Sequence, residues 1–494
     1  MSQKFLDLAG LTAYDRMLKE WFNAGIVDIT EDPIRALFVV PDNPYVTFTA
    51  EKDNSSIGLE KLSTNQTLEY STDTATWNTF DTTTNIPLNN GDKVYVRGIL
   101  SADNTLSNCT QFKMSGKIAA SGNCNALWNY QDLNAPLKDW CGRFMFGRCT
   151  SLTTAPELPA TTLAESCYHY MFYECTSLTS APELSATTLA KDCCECMFSG
   201  CTSLTTAPEL PATELVNACY GYMFSECNSL ATAPELPVTR LVRGCYSGMF
   251  TRCTSLTTAP ELPATILADN CYESMFSGCT SLTTTPELPA TTLAKNCYYN
   301  MFSGCTSLTT VPELPATTLA DYCYYGMFSD CASLTTTLEL PATTLAENCY
   351  YNMFRDCKSL TTAPELPATE LAVYCYANMF NGCTSLTVAP ELPATTLANY
   401  CYYSMFYNCT SLTTTPELSA TELVSSCYQN MFYGCTSLNH IMCLATNISS
   451  TRCTYNWVKG LASTGTFVKH PDMNNWKTGN NGIPSGWTVE DAEI

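Results

Sequence analysis

Two rows of thiols dominate the chemistry that this sequence could carry. Cysteine recurs at 141, 167, 193, 219, 245, 271, 297, 323, 349, 375, 401 and 427, and a second row runs from 149 to 435 at the same step of 26 residues. Cys453 extends the first row, and only Cys109, Cys124, Cys194, Cys196 and Cys443 stand outside both. A disulfide within one unit would join positions eight apart, about 12 Å along a helix and beyond the roughly 7 Å that separates bridged α-carbons. Equivalent cysteines of adjacent units are close enough to bridge. The first 25 residues, however, mix Asp7, Asp15, Arg16, Lys19 and Glu20 with apolar side chains and do not read as a cleavable signal. A chain folding in a reducing cytosol keeps its thiols, so small, buried, reduced core residues are expected. Cys193, Cys194, Cys196 and Cys201 crowd one unit, yet straight rows do not converge four sulfurs into a tetrahedron. No metal and no cofactor is expected.

A row of acids follows the same step: Glu157, Glu183, Glu209, Glu235, Glu261, Glu287, Glu313, Glu339, Glu365, Glu391 and Glu417. Neighbours about 5 Å apart repel, weakly in water and strongly if buried, so this row must face solvent. It reads as a solubilising edge or as a stripe for divalent cations or a basic partner. Catalysis has little support. HExxH, P-loop and G-x-S-x-G motifs are all missing, and His169, His440 and His470 sit in unrelated contexts. A non-enzymatic protein is expected. A glycan-cleaving carboxylate pair stays a remote alternative, which would need a localised acidic cleft with raised pKa values.

The step of 26 over twelve intervals, without insertion or deletion, lies in the range of leucine-rich repeats, whose units bury their apolar side only by stacking. In each unit a short Thr-rich stretch ends near a proline, as from Ser177 to Leu184 around Pro182, and predicts a brief strand. The pairs Leu345-Ala346, Cys349-Tyr350 and Met353-Phe354, with Cys357, recur four residues apart and predict an amphipathic helix of three to four turns. Thr344 with Glu347, and Thr162 with Glu165, fit a capping box, while Gly200, Gly278, Gly304, Gly382 and Gly434 fit helix exits. The expected fold is therefore an α/β solenoid, a leucine-rich-repeat superhelix of about twelve strand-helix turns over residues 126–440. Residues 31–125 alternate strand-like runs with turns such as Asn89-Asn90-Gly91-Asp92 and predict a small β-sandwich. Residues 441–494 form a C-terminal cap that includes Trp476 and Trp487. Residues 1–30 predict a helix with Tyr14, Met17, Leu18, Trp21 and Phe22 on one side, a stripe that needs a partner.

On the outer helix positions, numbered from the first cysteine of each unit, three, four, seven and eight hold Tyr, Ser, Gly or Asn in 32 of 48 cases. An exposed helix drifting freely would favour Lys, Glu and Gln, whereas Tyr, Ser, Gly and Asn are the vocabulary of binding loops. Tyr170, Tyr222, Tyr299, Tyr325, Tyr351, Tyr403, Tyr407 and Tyr433 are the candidate ligand contacts, with packing between turns as the competing role. The net charge of -22 repels a nucleic-acid backbone, and no run approaches the roughly 20 apolar residues of a membrane span.

The repeat MFxGCTSLTTAPELPATTLAxxCYxx, over residues 141 to about 440, resembles the BspA-like leucine-rich repeats of bacterial surface proteins. The β-rich segment from Val46 and the tail from Cys453 resemble modules that accompany this repeat. The start, MSQKFLDLAGLTAYDRMLKEWF, is similar to that of tail-fibre-type proteins of phages infecting gut bacteria. These resemblances imply adhesion or receptor binding without catalysis. The expected protein is a phage tail-associated protein recognising a bacterial surface glycan or protein, made in the host cytoplasm and carried on the virion. Residues 1–25 would join it to other tail proteins or to its own copies. The alternative is an exported bacterial adhesin binding host or neighbour-cell ligands at the cell surface. The repeat is longer than the commoner form, and a surface adhesin's secretion signal is not evident.

Overall fold

The computed structural model describes residues 43–336 and 338–493. The predicted helix of residues 1–30, with Tyr14, Met17, Leu18, Trp21 and Phe22, lies outside the described residues.

Alternation of apolar and polar side chains sets the first part of the chain. β1 (Val46–Ala50), β3 (Gln66–Ser71), β4 (Asn78–Thr79), β6 (Lys93–Leu100) and β8 (Ile118–Ser121) join one sheet; β2 (Ser55–Lys61), β5 (Asn85–Leu88) and β7 (Gln111–Ser115) form the other. β6 reads exposed, buried, half-buried, buried along Lys93-Val94-Tyr95-Val96, and Val94 and Val96 meet Phe48 and Val46 of β1 in antiparallel register. Gly91, at φ +89°, makes the tight turn before β6, where Asp92 N donates to Asn89 O at 3.0 Å.

This sheet runs straight into the repeats. β8 pairs in parallel with β9 (Leu152–Thr154), and Phe112 of β7 stacks on Phe146 of the first turn at 5.1 Å. Phe112 N also donates to Met145 O at 2.8 Å, so the β-domain closes the open end of the repeat core. The helical turn α1 (Ala126–Asn129) lies between them and buries Trp128.

The repeats form a solenoid, but not from strand-helix turns. Where helices were predicted, the backbone is a tape of overlapping β-turns. Cys297 N bonds Ala294 O, Met301 N bonds Tyr298 O and Cys305 N bonds Phe302 O, at 3.1 to 3.3 Å. The third residue of each turn, Asn296, Asn300 and Gly304, is left-handed, with φ of +54°, +50° and +74°. Alternate amides leave the turn altogether. Tyr298, Asn300, Phe302 and Gly304 donate to Cys323, Tyr325, Met327 and Ser329 of the next unit at 2.7 to 3.0 Å. The tape is thus closed by its neighbour and needs no i−4 bonds.

The capping boxes dissolve accordingly. Thr344 Oγ1 reaches Glu370 of the next unit at 3.1 Å, and the amides of Glu347 and Glu165 bond Asp321 and Asp139 of the preceding one. The five glycines read as helix exits are left-handed, at φ +74° to +77°, but at turn positions. The Thr-rich half pairs mostly through single parallel bridges, such as Thr258 with Thr284 and Thr292 with Thr318. Prolines such as Pro260, Pro263, Pro286 and Pro289 remove the donors that a continuous ladder needs. Full pairing starts at β10 (Thr414–Leu418) and continues through β11 (His440–Cys443), β12 (Thr466–Lys469) and β13 (Thr488–Asp491), all parallel, and β11 to β13 carry no proline.

Identical residues stack through the core. Phe rings run from Phe146 to Phe432 at 5.3 to 5.8 Å, and Tyr rings from Tyr220 to Tyr428 at 5.7 to 6.2 Å. Cys194 replaces the tyrosine between Tyr168 and Tyr220 and interrupts the second stack. Trp457 covers both stacks at the far end and is itself covered by Trp476 at 5.6 Å.

All 30 cysteines are buried and unpaired. The second row has a definite role: Cys305 Sγ donates to Phe276 O at 3.1 Å, and the same bond recurs from Cys175 to Cys435 at 3.0 to 3.2 Å. The Phe carbonyl, already bonded within its own turn, gains a second partner from a side chain small enough to sit in the core.

Candidate functional site

Because alternate amides are spent on the next unit, each unit presents its turn side chains at fixed column positions. The left-handed columns are the residue before the first cysteine and positions four and eight. Gly and Asn recur in them, as at Gly244, Asn270, Asn296, Asn300 and Gly304, beside bulkier residues such as Trp140, Phe144 and Arg252. Much of the Gly and Asn bias at positions four and eight is therefore backbone geometry, not recognition.

Tyrosine is another matter. Tyr322, Tyr374 and Tyr400 hold φ of +58°, +56° and +58° in the column before the cysteine, where a bulky side chain costs about 1 kcal/mol. All three line one groove of about 530 Å3 with Tyr325, Asn348, Tyr351, Tyr403, Gln429 and Arg452. The tyrosines are half-buried, and none of the lining residues is a carboxylate. Rings stack along the solenoid at van der Waals distance: Tyr299 on Tyr325 at 4.6 Å, Tyr325 on Tyr351 at 4.8 Å, Tyr374 on Tyr400 at 4.4 Å. Burial, then the neighbouring Tyr299, pushes Tyr325 up to about 12, and burial also raises Tyr299 and Tyr374. Tyr299, Tyr325 and Tyr374 therefore keep their hydroxyl protons at neutral pH.

Of the predicted contacts, Tyr325, Tyr351 and Tyr403 meet in this groove and Tyr299 extends its row. Tyr407 and Tyr433 form a separate stack at 4.6 Å, with Lys459 Nζ over Tyr433 at 5.1 Å. Tyr170 and Tyr222 stand in earlier units; Tyr170 packs on Tyr173, and the Tyr222 ring occupies the space above Gly248. Tyr322, Tyr374, Tyr400 and Arg452 escaped the sequence reading. A helical wheel gave no reason to inspect the residue before each cysteine, although its content was plain in the text.

The acid row is exposed at all eleven positions. Among the described residues, no cluster of His, Cys, Asp and Glu is arranged to hold a metal. One carboxylate among them stands above its ordinary range. Burial, then Asp192, raises Glu195 to about 7, while burial, then Arg143, lowers His169 to about 4. The two side chains are 3.4 Å apart, near the N-terminal end of the solenoid and not among the groove residues.

No curated protein matches the chain. The BspA type leucine rich repeat region matches it in six copies, over residues 139–257, 165–308, 239–361, 270–403 and 350–456, well over half its length. With a 26-residue solenoid that carries its variation on one turn face, the chain belongs to the BspA-type leucine-rich-repeat family.

Proposed function

We propose that this protein is a non-enzymatic receptor-binding protein whose contact surface is the tyrosine groove between Tyr322 and Arg452. The observation that carries the reading is the convergence of aromatic side chains. Six tyrosines from four successive units line one groove with Asn348, Gln429 and Arg452 and without a carboxylate, on a chain of net charge -22. Tyrosine also offers large, rigid, amphipathic area at small entropic cost. Family membership supports adhesion and binding, and the exposed acid row and net charge of -22 argue against nucleic acid.

The test is the triple variant Tyr322→Asn, Tyr374→Asn and Tyr400→Asn. It should melt within a few degrees of the parent and lose binding to target cells. Unchanged binding refutes the assignment.

The finer placement is on a phage tail, for which the resemblance of residues 1–22 to tail-fibre starts is the support. The family match equally suits an exported adhesin of a bacterial surface. Among the described residues no helix is long and apolar enough to cross a membrane, which fits both. Mass spectrometry of the native protein separates them: residues 1–25 intact in purified particles support the virion, and their removal from a cell-surface form supports the adhesin.

A further inference from the structure

We infer that the groove takes a linear glycan, seating one sugar ring over Asn348 between Tyr322 and Tyr374 and an acidic group at Arg452. The inference rests on the binding role assigned to this face. In the column before the cysteine, Tyr374 and Tyr400 stand in successive units with their rings 4.4 Å apart and 17° from parallel. Asn348 occupies the unit between Tyr322 and Tyr374, so these two residues are two steps apart, about 10 Å at the usual strand spacing. Their rings tilt by 36° and 59° to the neighbouring Tyr325 and Tyr351, and a sugar ring entering between them would pack against both.

Asn348 is the floor of this slot and only 6% exposed. Its Nδ2 donates to Glu347 Oε1 at 3.3 Å, leaving the amide oxygen to accept from a ligand hydroxyl. The adjoining column continues the surface. Tyr299, Tyr325 and Tyr351 stack within 9° of parallel, Ala377 breaks the row, and Tyr374 leans toward the break, 6.1 Å from Tyr351 and 6.5 Å from Tyr403. From the unit of Tyr322 to that of Arg452 the groove crosses five steps, about 24 Å, the reach of an extended oligosaccharide.

The lining suits a sugar: six tyrosines with Asn348, Gln429 and Arg452 offer aromatic faces beside hydroxyl, amide and guanidinium groups. A pyranose has an apolar C–H face for the rings and a rim of hydroxyls for the phenols, Asn348 and Gln429. Arg452 closes one end, its guanidinium 5.7 Å over the Tyr455 ring, in a groove without carboxylates on a strongly acidic chain. A planar guanidinium there suits a sugar carboxylate.

The test uses the full chain on cells of a strain that it binds, before and after periodate, which cleaves vicinal diols, and before and after proteinase K. Phenol-extracted surface polysaccharide of that strain, native or with its carboxyl groups reduced, is then titrated calorimetrically. Periodate should abolish cell binding and protease should leave it. Arg452→Gln should weaken native polysaccharide about ten-fold, to the level of the reduced form, which it binds as the parent does. Binding lost to protease but not to periodate, with the tyrosine variant still inactive, overturns the glycan and keeps the binding role. A tyrosine variant that binds cells as the parent does overturns the role itself. Equal affinity for native and reduced polysaccharide removes the acidic group.

Discussion

Replacing Asn300, Asn352 and Asn430 in turn by alanine and by glycine distinguishes a turn tape from a helix by the sign of the effect. The three residues hold φ of +50°, +58° and +57° and lie two or more units apart. They are half-buried, so little packing is removed. Alanine in a left-handed position costs about 1 kcal/mol more than asparagine, and separated sites add, so the triple alanine variant should lose about 3 kcal/mol. Glycine meets no steric penalty there and should fall within about 0.5 kcal/mol of the parent at each site. Inside a helix the order is reversed, with alanine gaining roughly 0.5 kcal/mol over asparagine and glycine losing a similar amount. The assay is guanidinium denaturation followed by near-ultraviolet circular dichroism, comparing midpoints at constant slope. Alanine more stable than asparagine, with glycine least stable, would refute the turn geometry.

Phe302→Ala removes a fully buried ring stacked at 5.6 and 5.7 Å on its neighbours, and should cost about 3 to 5 kcal/mol and admit protease near unit 297–322, seen by limited proteolysis. Thiol titration should find few reactive groups in the native protein and all 30 in guanidinium, because burial holds Cys201, Cys323 and Cys443 up at about 12 and leaves almost no thiolate. Glu195 is raised from 4.5 to about 7, so its ionisation opposes folding increasingly as pH climbs through that window. Glu195→Gln should stabilise at pH 8 and be neutral at pH 4, as thermal melts would show. His169, lowered from 6.5 to about 4, contributes the opposite slope: stability present above 6.5 and lost as pH falls toward 4, which His169→Gln should flatten.

The repeat, its length and its core were legible because stacking identical units demands identical residues at identical steps. Met301, Phe302, Cys305 and Leu308 are all fully buried, as their spacing required. The element was misread, and the reason is numerical. A helix turns about 100° per residue, so apolar positions recurring every fourth residue drift by about 40° at each step, over 100° from Leu345 to Cys357. The pairs at Leu345, Cys349 and Met353, with Cys357 after them, do not shift to compensate, as a 3.6-residue period would require. A strict period of four, with Gly or Asn recurring in step, is the signature of repeated left-handed turns. That error hid half the groove, since Tyr322, Tyr374 and Tyr400 occupy a column that no helical face singled out.

The same backbone explains why this surface is free to specialise. Every second amide in the tape bonds the next unit and the rest close their own turns, so the turn's backbone hydrogen bonds rely little on the outward side chains. Substitution at an outward column then costs little more than its φ allows: nothing at position three, about 1 kcal/mol at a left-handed site. The units around Ser247 and Gly248 use small residues there, while those from Tyr299 to Arg452 concentrate tyrosine. A ligand that spans several units gathers small contacts from each. Shortening it by one sugar should therefore weaken binding by a similar factor each time until the Asn348 slot is vacated, and a disproportionate drop at that step would locate the anchoring ring.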